Sequence, residues 1–185
     1  MNKAITQERL EREAKINRIE VHKGKIISLF TDHISYQKGK EKTFDLVSHP
    51  GAVVMIPIDA DGNLILIKQW RRASNQILIE FPAGTLEENE DPEVCAQREL
   101  QEEIGMRAKE IIPFGGFFTA PGFCTEYLHL FIARGLIPDP LMGDDTDEID
   151  SLTVSVEDAC QMIEQGKIID AKTVAGIYRY KNWVT

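Results

Sequence analysis

GTLEENEDPEVCAQRELQEEIGM, residues 84–106, puts Glu99, Glu102 and Glu103 within five consecutive positions of a segment that reads as a helix. Asp91 suits the N-cap, Pro92 the first helical position and Gly105 the stop after the last turn. At about 100° per residue, Glu99 and Glu103 project about 40° apart and Glu102 about 60° to the other side of Glu99. The three carboxylates share one face, while Ala96, Leu100 and Ile104 form a separate stripe turned toward a core. Two carboxylates about 6 Å apart repel by roughly 3 kcal/mol at an effective dielectric of about 20, and a bound cation removes that cost. Oxygen donors without neighbouring His or Cys favour Mg²⁺ or Mn²⁺ over zinc. Arg98, one turn before Glu102, can orient that carboxylate or reach Glu90.

Outward from this helix, the chain alternates strands and helices. Residues 17–48 alternate apolar and polar, as in Arg18-Ile19-Glu20-Val21-His22, the period of half-buried strands. GAVVMIPID (51–59) and LILIKQW (64–70) flank Ala60-Asp61-Gly62-Asn63, which predicts a hairpin of central strands. Further strands are expected at 109–118, 126–134 and 151–155, and helices at about 156–165 and 170–181. A strongly acidic loop, LMGDDTDEID, precedes the last strand. There is no internal repeat or low-complexity tract.

The 185 residues, 43% of them apolar, fit one compact domain with a small appendage. A formal charge of -9 and a pI near 5.0 argue against nucleic acid or an anionic membrane as the main partner. Phosphate substrates remain open, because divalent ions can carry the opposite sign into a site. Cys95, Cys124 and Cys160 form neither a disulfide framework nor a zinc knuckle, and His22, His33, His49 and His129 make no spaced cluster. Charges interrupt every apolar stretch near the N-terminus, and no run approaches the ~20 apolar residues of a membrane span. A soluble, cytoplasmic protein is expected.

An acidic helix face is usually only solvated. Here the fixed residue types fall in one frame, a coincidence on the order of 10⁻⁸ at background usage. The pattern G-x5-E-x7-R-E-U-x-E-E-x-G-U, with U apolar, is filled by Gly84, Glu90, Arg98, Glu99, Leu100, Glu102, Glu103, Gly105 and Met106. The chain therefore resembles the Nudix hydrolases. The resemblance implies an α/β/α sandwich around a mixed sheet (α/β, or α+β, in class), with Gly84, Glu90 and Gly105 as structural positions. It implies a Nudix domain over residues 49–185 and a small antiparallel β region over 1–48 that pairs two subunits in a homodimer.

Segments outside the box narrow the subgroup. Gln69-Trp70-Arg71-Arg72, Glu80-Phe81-Pro82-Ala83-Gly84 and Ala120-Pro121-Gly122-Phe123-Cys124-Thr125-Glu126 look like motifs of ADP-ribose pyrophosphatases and related nucleoside diphosphate sugar hydrolases. Over about residues 45–165, the resemblance implies Mg²⁺- or Mn²⁺-dependent cleavage of such a substrate into a nucleoside monophosphate and a sugar phosphate, with two or more ions per site. Other Nudix substrates, such as coenzyme A or a dinucleoside polyphosphate, and a non-catalytic ADP-ribose sensor are the alternatives. By the same resemblance, Glu99 and Glu103 are metal ligands assisted by Glu102 and the Ala83 carbonyl. Arg98 and Glu102 have catalytic roles, and Arg71, Arg72, Glu80, Pro121 and Glu126 meet the substrate. Arg71 and Arg72 can equally be a solvated edge pair, Pro121 a plain turn and Glu126 structural. Glu148 is expected as general base, with Asp147 and Asp145 as alternatives in the same loop.

Overall fold

The computed structural model describes residues 3–141 and 149–184. They fall into two compact units, Met1–Pro50 with Phe118–Glu126, and Gly51–Phe117 with Tyr127–Thr185.

In the first unit, helix α1 (Lys3–Arg12) precedes an antiparallel sheet of β1 (Lys15–Lys23), β2 (Ser28–Ser35) and β3 (Glu41–Ser48). Helix α1 has no counterpart in the sequence reading. It lacks an apolar stripe and is supported by the ion pairs Arg12–Glu8 and Arg9–Glu13 at i,i+4 spacing and by hydrogen bonds from Tyr36 to Glu11 and from Gln37 to Glu13. The sheet is pinned by a forked pair in which Arg18 donates to both oxygens of Asp32 at 2.7 Å. Ile16, Ile19, Val21 and Phe44 remain exposed on it. The second stretch of the unit joins through Val47, whose N–H donates to the Phe123 carbonyl and whose carbonyl accepts from Thr125.

The second unit contains β4 (Ala52–Pro57), β5 (Leu64–Arg71), β6 (Gln76–Glu80), β7 (Ala83–Thr85), α2 (Pro92–Glu103) and β8 (Met106–Arg107). There follow β9 (Glu110–Phe118, whose last residue belongs to the first unit), β10 (Tyr127–Arg134), β11 (Ile137–Pro138), β12 (Asp150–Val154), α3 (Val156–Glu164) and α4 (Ala171–Val184). One sheet runs β7-β4-β10-β9 and is mixed, with β4 parallel to β10 and antiparallel to β7. A second runs β12-β5-β6, and β8 pairs with β11.

Every residue of β4 is buried, as a parallel central strand covered on both faces requires. Its alternate residues serve different layers. Val53 and Met55, with Phe131 and Ala133 of β10, meet Cys95, Ala96 and Leu100 of α2. Val54 and Ile56 face the larger cluster containing Leu64 and Leu66 of β5, Phe81, Ala159 of α3, and Ile177 and Tyr180 of α4. Helices thus lie on both sides of the β layers, in keeping with the expected mixed sandwich.

The hairpin expected across residues 60–63 does not form. The turn is tight, since the Asp59 carboxylate accepts from the N–H groups of Asp61 and Asn63 at 2.9 and 2.7 Å. Beyond the single bridge Ile58↔Leu64, however, β4 and β5 part into different sheets. All of β4 and the first half of β5 are apolar on two faces, and each strand is covered as an inner strand of its own sheet.

Among the described residues, no helix is long and apolar enough to cross a membrane.

Candidate active site

The site is built on α2 and on the β6–β7 corner that faces it. Asp91 caps α2, accepting from the N–H groups of Glu93 and Val94 at 2.9 and 3.3 Å, and Pro92 occupies the first turn. Gly105 ends it at φ +67°, a conformation that few other residues adopt cheaply. With Cys95, Ala96 and Leu100 completely buried, the helix is fixed in rotation, and the adjoining carboxylate face is held in place.

Arg98 is the hub of that face. It donates to both oxygens of Glu90 at 3.0 and 3.1 Å, to Glu99 at 2.7 Å and to Glu102 at 3.0 Å. The Glu90 hydrogen bond is the main cause of a strengthened guanidinium charge, and it holds the Glu90 carboxyl below its usual range. Cys95 lies beneath, its sulfur 3.3 Å from the Arg98 guanidinium, and burial followed by the nearby Glu90 pushes its thiol strongly up, so it stays protonated.

Glu103 is held apart from this hub. One of its oxygens accepts from the Ala83 N–H at 2.8 Å. Burial is the chief cause that pushes its carboxyl up to about 8. The charge on Glu99 adds to the rise, while the Ala83 N–H and the charges of Arg71 and Lys172 oppose it. Glu99 is also raised, first by burial and against the pull of Arg98. The Glu99 side chain occupies the space left by the missing side chain of Gly84: a β-carbon there would fall 1.8 Å from the Glu99 carboxyl carbon. A side chain at position 84 would have to push the Glu99 carboxylate out of this space.

A third group of charges underlies the β6–β7 corner. Glu80 is 0% exposed, and Arg71 reaches both of its oxygens, by Nε at 2.9 Å and Nη2 at 2.7 Å. Lys172 donates to the same carboxylate and pairs with Asp170 at 3.0 Å. Burial alone would raise the Glu80 carboxyl. The Arg71 hydrogen bonds and the Lys172 charge outweigh it and hold the group below its usual range. Asp170 accepts from the N–H of Thr173 at 3.0 Å and from its hydroxyl at 2.6 Å, and that hydroxyl accepts from the Phe81 N–H at 2.8 Å.

The folding therefore gathers Arg71, Glu80, Ala83, Gly84, Glu90, Arg98, Glu99, Glu102 and Glu103 on the second unit. Arg72 is exposed in the β5–β6 turn. Pro121 and Glu126 belong to the first unit, where Pro121 is exposed. Glu126 there accepts from the Thr119 hydroxyl at 2.7 Å and lies 3.6 Å from His49. Glu148, Asp147 and Asp145 lie outside the described residues. Sequence reasoning missed Asp170, Lys172 and Thr173. Their local signal, a capping residue before the last helix, was legible, but partners more than 90 positions earlier were not.

A model of the NUDIX domain matches residues 48–176. The chain belongs to the Nudix family. An ADP-ribose pyrophosphatase of Bacillus subtilis is 35% identical over 89% of this Nudix chain and 90% of its own length. A methanol dehydrogenase activator of Bacillus methanolicus is 34% identical over 91% and 92%. Among solved structures, an ADP compounds hydrolase superposes with a TM-score of 0.83 at 20% identity, covering 92% of this chain and 94% of that one, and so shares the fold.

Among the described residues, no three His, Cys, Asp or Glu side chains of this Nudix domain converge tightly enough to cage an ion. Arg98 spans two of the carboxylates instead. The donors still fit a hard divalent cation: all are oxygens on one fixed helix face, with Glu99 lodged in the gap at Gly84.

Proposed function

We propose that the chain is a divalent-metal-dependent pyrophosphohydrolase that splits ADP-ribose or a related nucleoside diphosphate sugar into a nucleoside monophosphate and a sugar phosphate. The observation that carries this reading is the pairing of α2 with the β6–β7 corner, where Glu103 meets Ala83 and Glu99 fills the space at Gly84. The 35% identity to an ADP-ribose pyrophosphatase supports the substrate class.

In this reading Glu99 and Glu103 are the principal metal ligands, and Glu102 and the Ala83 carbonyl complete the set for two or more Mg²⁺ or Mn²⁺ ions. Bound ions neutralise the diphosphate and lower the pKa of water. Arg98 holds the like-charged Glu90, Glu99 and Glu102 together by pairing with all three. Arg71 presents its remaining guanidinium edge to the diphosphate, Glu80 acts by aiming Arg71, and Arg72 supplies a second positive charge. Pro121 and Glu126 are kept as substrate-binding residues on the strength of the Ala120–Glu126 motif alone. Glu148 is the general base; the chain on either side of its segment is anchored, by Leu141 N–H to the Gln101 carbonyl at 3.1 Å and by β12 along β5.

Exposed Ile16, Ile19, Val21 and Phe44 support a homodimer through residues 1–48. The three free cysteines support a reducing, cytoplasmic setting. The acidic charge supports a small-molecule substrate over a nucleic acid or a membrane surface.

Incubation with ADP-ribose and Mg²⁺ is expected to release AMP and ribose 5-phosphate. Failure with ADP-ribose, GDP-mannose and UDP-glucose alike, in Mg²⁺ and in Mn²⁺, refutes the reading. Glu103→Gln is expected to lower kcat by at least about 10²-fold while leaving the fold intact.

A further inference from the structure

The cluster beneath the β6–β7 corner holds two cations, Arg71 and Lys172, and two anions, Glu80 and Asp170, so it is formally neutral. Its members are unequally placed. The side chain of Glu80 is 0% exposed, Lys172 13% and Asp170 16%, whereas Arg71 is 38% exposed. Arg71 spends Nε and Nη2 on Glu80, and among the described residues its Nη1 makes no hydrogen bond. The arrangement is a buried anion with one cation behind it and another in front, the front one carrying a spare donor edge.

Arg71 and Lys172 meet on the same Glu80 oxygen. Because Lys172 shares the Glu80 charge, Arg71 is only partly neutralised by its own partner, and a positive field survives at its exposed edge. Asp170 fixes Lys172 and, through Thr173, the backbone of Phe81, so side chain and main chain of the corner are clamped by one helix end. Without the Lys172 charge, Glu80 and Asp170 would face Arg71 alone, leaving a net negative cluster where an anion must dock.

We infer that Lys172 is a positioning residue: by sharing Glu80, it keeps Arg71 cationic and aimed at the diphosphate of the substrate without touching the substrate itself. This rests on the pyrophosphohydrolase reading and extends it to a residue outside the box and its accompanying motifs.

The experiment compares wild type, K172M, K172R and the K172M/E80Q double variant in steady-state hydrolysis of ADP-ribose with saturating Mg²⁺. K172M is expected to raise KM about tenfold with a much smaller change in kcat, and K172R, which retains the charge, to stay within about threefold of wild type. The decisive arm is the double variant. Removing the Glu80 charge restores formal neutrality, while the amide oxygen keeps only one of the two Arg71 hydrogen bonds, so KM is expected to fall part of the way from the K172M value toward wild type. If the double variant stays as impaired as K172M or worse, relief of the unpaired Glu80 charge does not restore binding and the inference is overturned. Equal kcat and KM for folded K172M and wild type overturn it as well.

Binding of inorganic pyrophosphate, measured calorimetrically on the same four proteins without metal, gives a readout independent of turnover. Affinity is expected to rank wild type and K172R first, the double variant next and K172M last. An inactive wild type overturns the parent reading, while this ranking still decides the role of Lys172. Thermal melts of each variant separate these effects from a fall in folded fraction.

Discussion

Replacing Gly84 by alanine isolates what the close approach of Glu99 contributes. A β-carbon at residue 84 would lie 1.8 Å from the Glu99 carboxyl carbon, 2.0 Å from Oε1 and 2.2 Å from Cγ. Ordinary contact begins near 3.4 Å, so the carboxylate has to retreat by about 1.6 Å. Its Oε1 also accepts from Arg98 at 2.7 Å, and that bond goes with it. Gly84 does not have a left-handed backbone, so alanine fits the main chain and the β4–β7 pairing at Val53 survives. The fold is expected to lose no more than about 1 kcal/mol. Displacement of a reacting or metal-holding group by about 1 Å is enough for a 10²-fold loss of rate, so kcat is expected to fall about 10²-fold, with a higher Mg²⁺ concentration for half-activation. The assay is AMP release from ADP-ribose across a Mg²⁺ titration, beside a thermal melt. A folded variant with wild-type kcat and wild-type Mg²⁺ dependence would refute the claim that Glu99 works from the position it occupies here.

The elevated Glu103 carboxyl makes the metal-free protein sensitive to pH. Its proton is bound in the native state up to about pH 8 but lost near 4.5 when unfolded, so stability declines as pH rises through that window, by at most about 1.4 kcal/mol per unit. Melts in EDTA from pH 5 to 9 are expected to show this fall, and Glu103→Gln to flatten it. Since a cation must displace the same proton, Mg²⁺ affinity by calorimetry is expected to climb with pH and level off near 8. Arg98→Met leaves Glu90, Glu99 and Glu102 without their shared cation, and is expected to cost about 2–4 kcal/mol in EDTA, part of it recovered by Mg²⁺ in a thermal melt. Asp91→Ala removes the cap of α2, for an expected loss of about 1 kcal/mol, seen as a midpoint drop of about 2–4 °C.

Local signals made most of the second unit readable. The cap, the first-turn proline and the terminal glycine marked α2 to within a residue, because each acts on its own few neighbours. The box could be recognised for the same reason, as its carboxylates and Arg98 sit on one helix at fixed spacing. The division of β4 and β5 between sheets was not legible: the turn chemistry at 59–63 is correct for a hairpin, and the outcome was decided by layers contributed from residues 128–180. Helix α1 escaped because its ion pairs leave no hydrophobic period to read. The partners of Glu80 stayed hidden in the same way, since nothing near position 80 announces a lysine at 172.

The bond from the Phe81 N–H to the Thr173 hydroxyl joins residues 92 positions apart. A ribosome adding about 5–20 residues per second produces Phe81 some 5–20 s before Thr173 exists. Throughout that interval the corner that meets Glu103 has no clamp, and for most of it the helix carrying the carboxylates is already made. The chain thus acquires its acidic face early and its finished site only when the last helix docks, so a growing chain carries the box before it can present a complete site to a diphosphate.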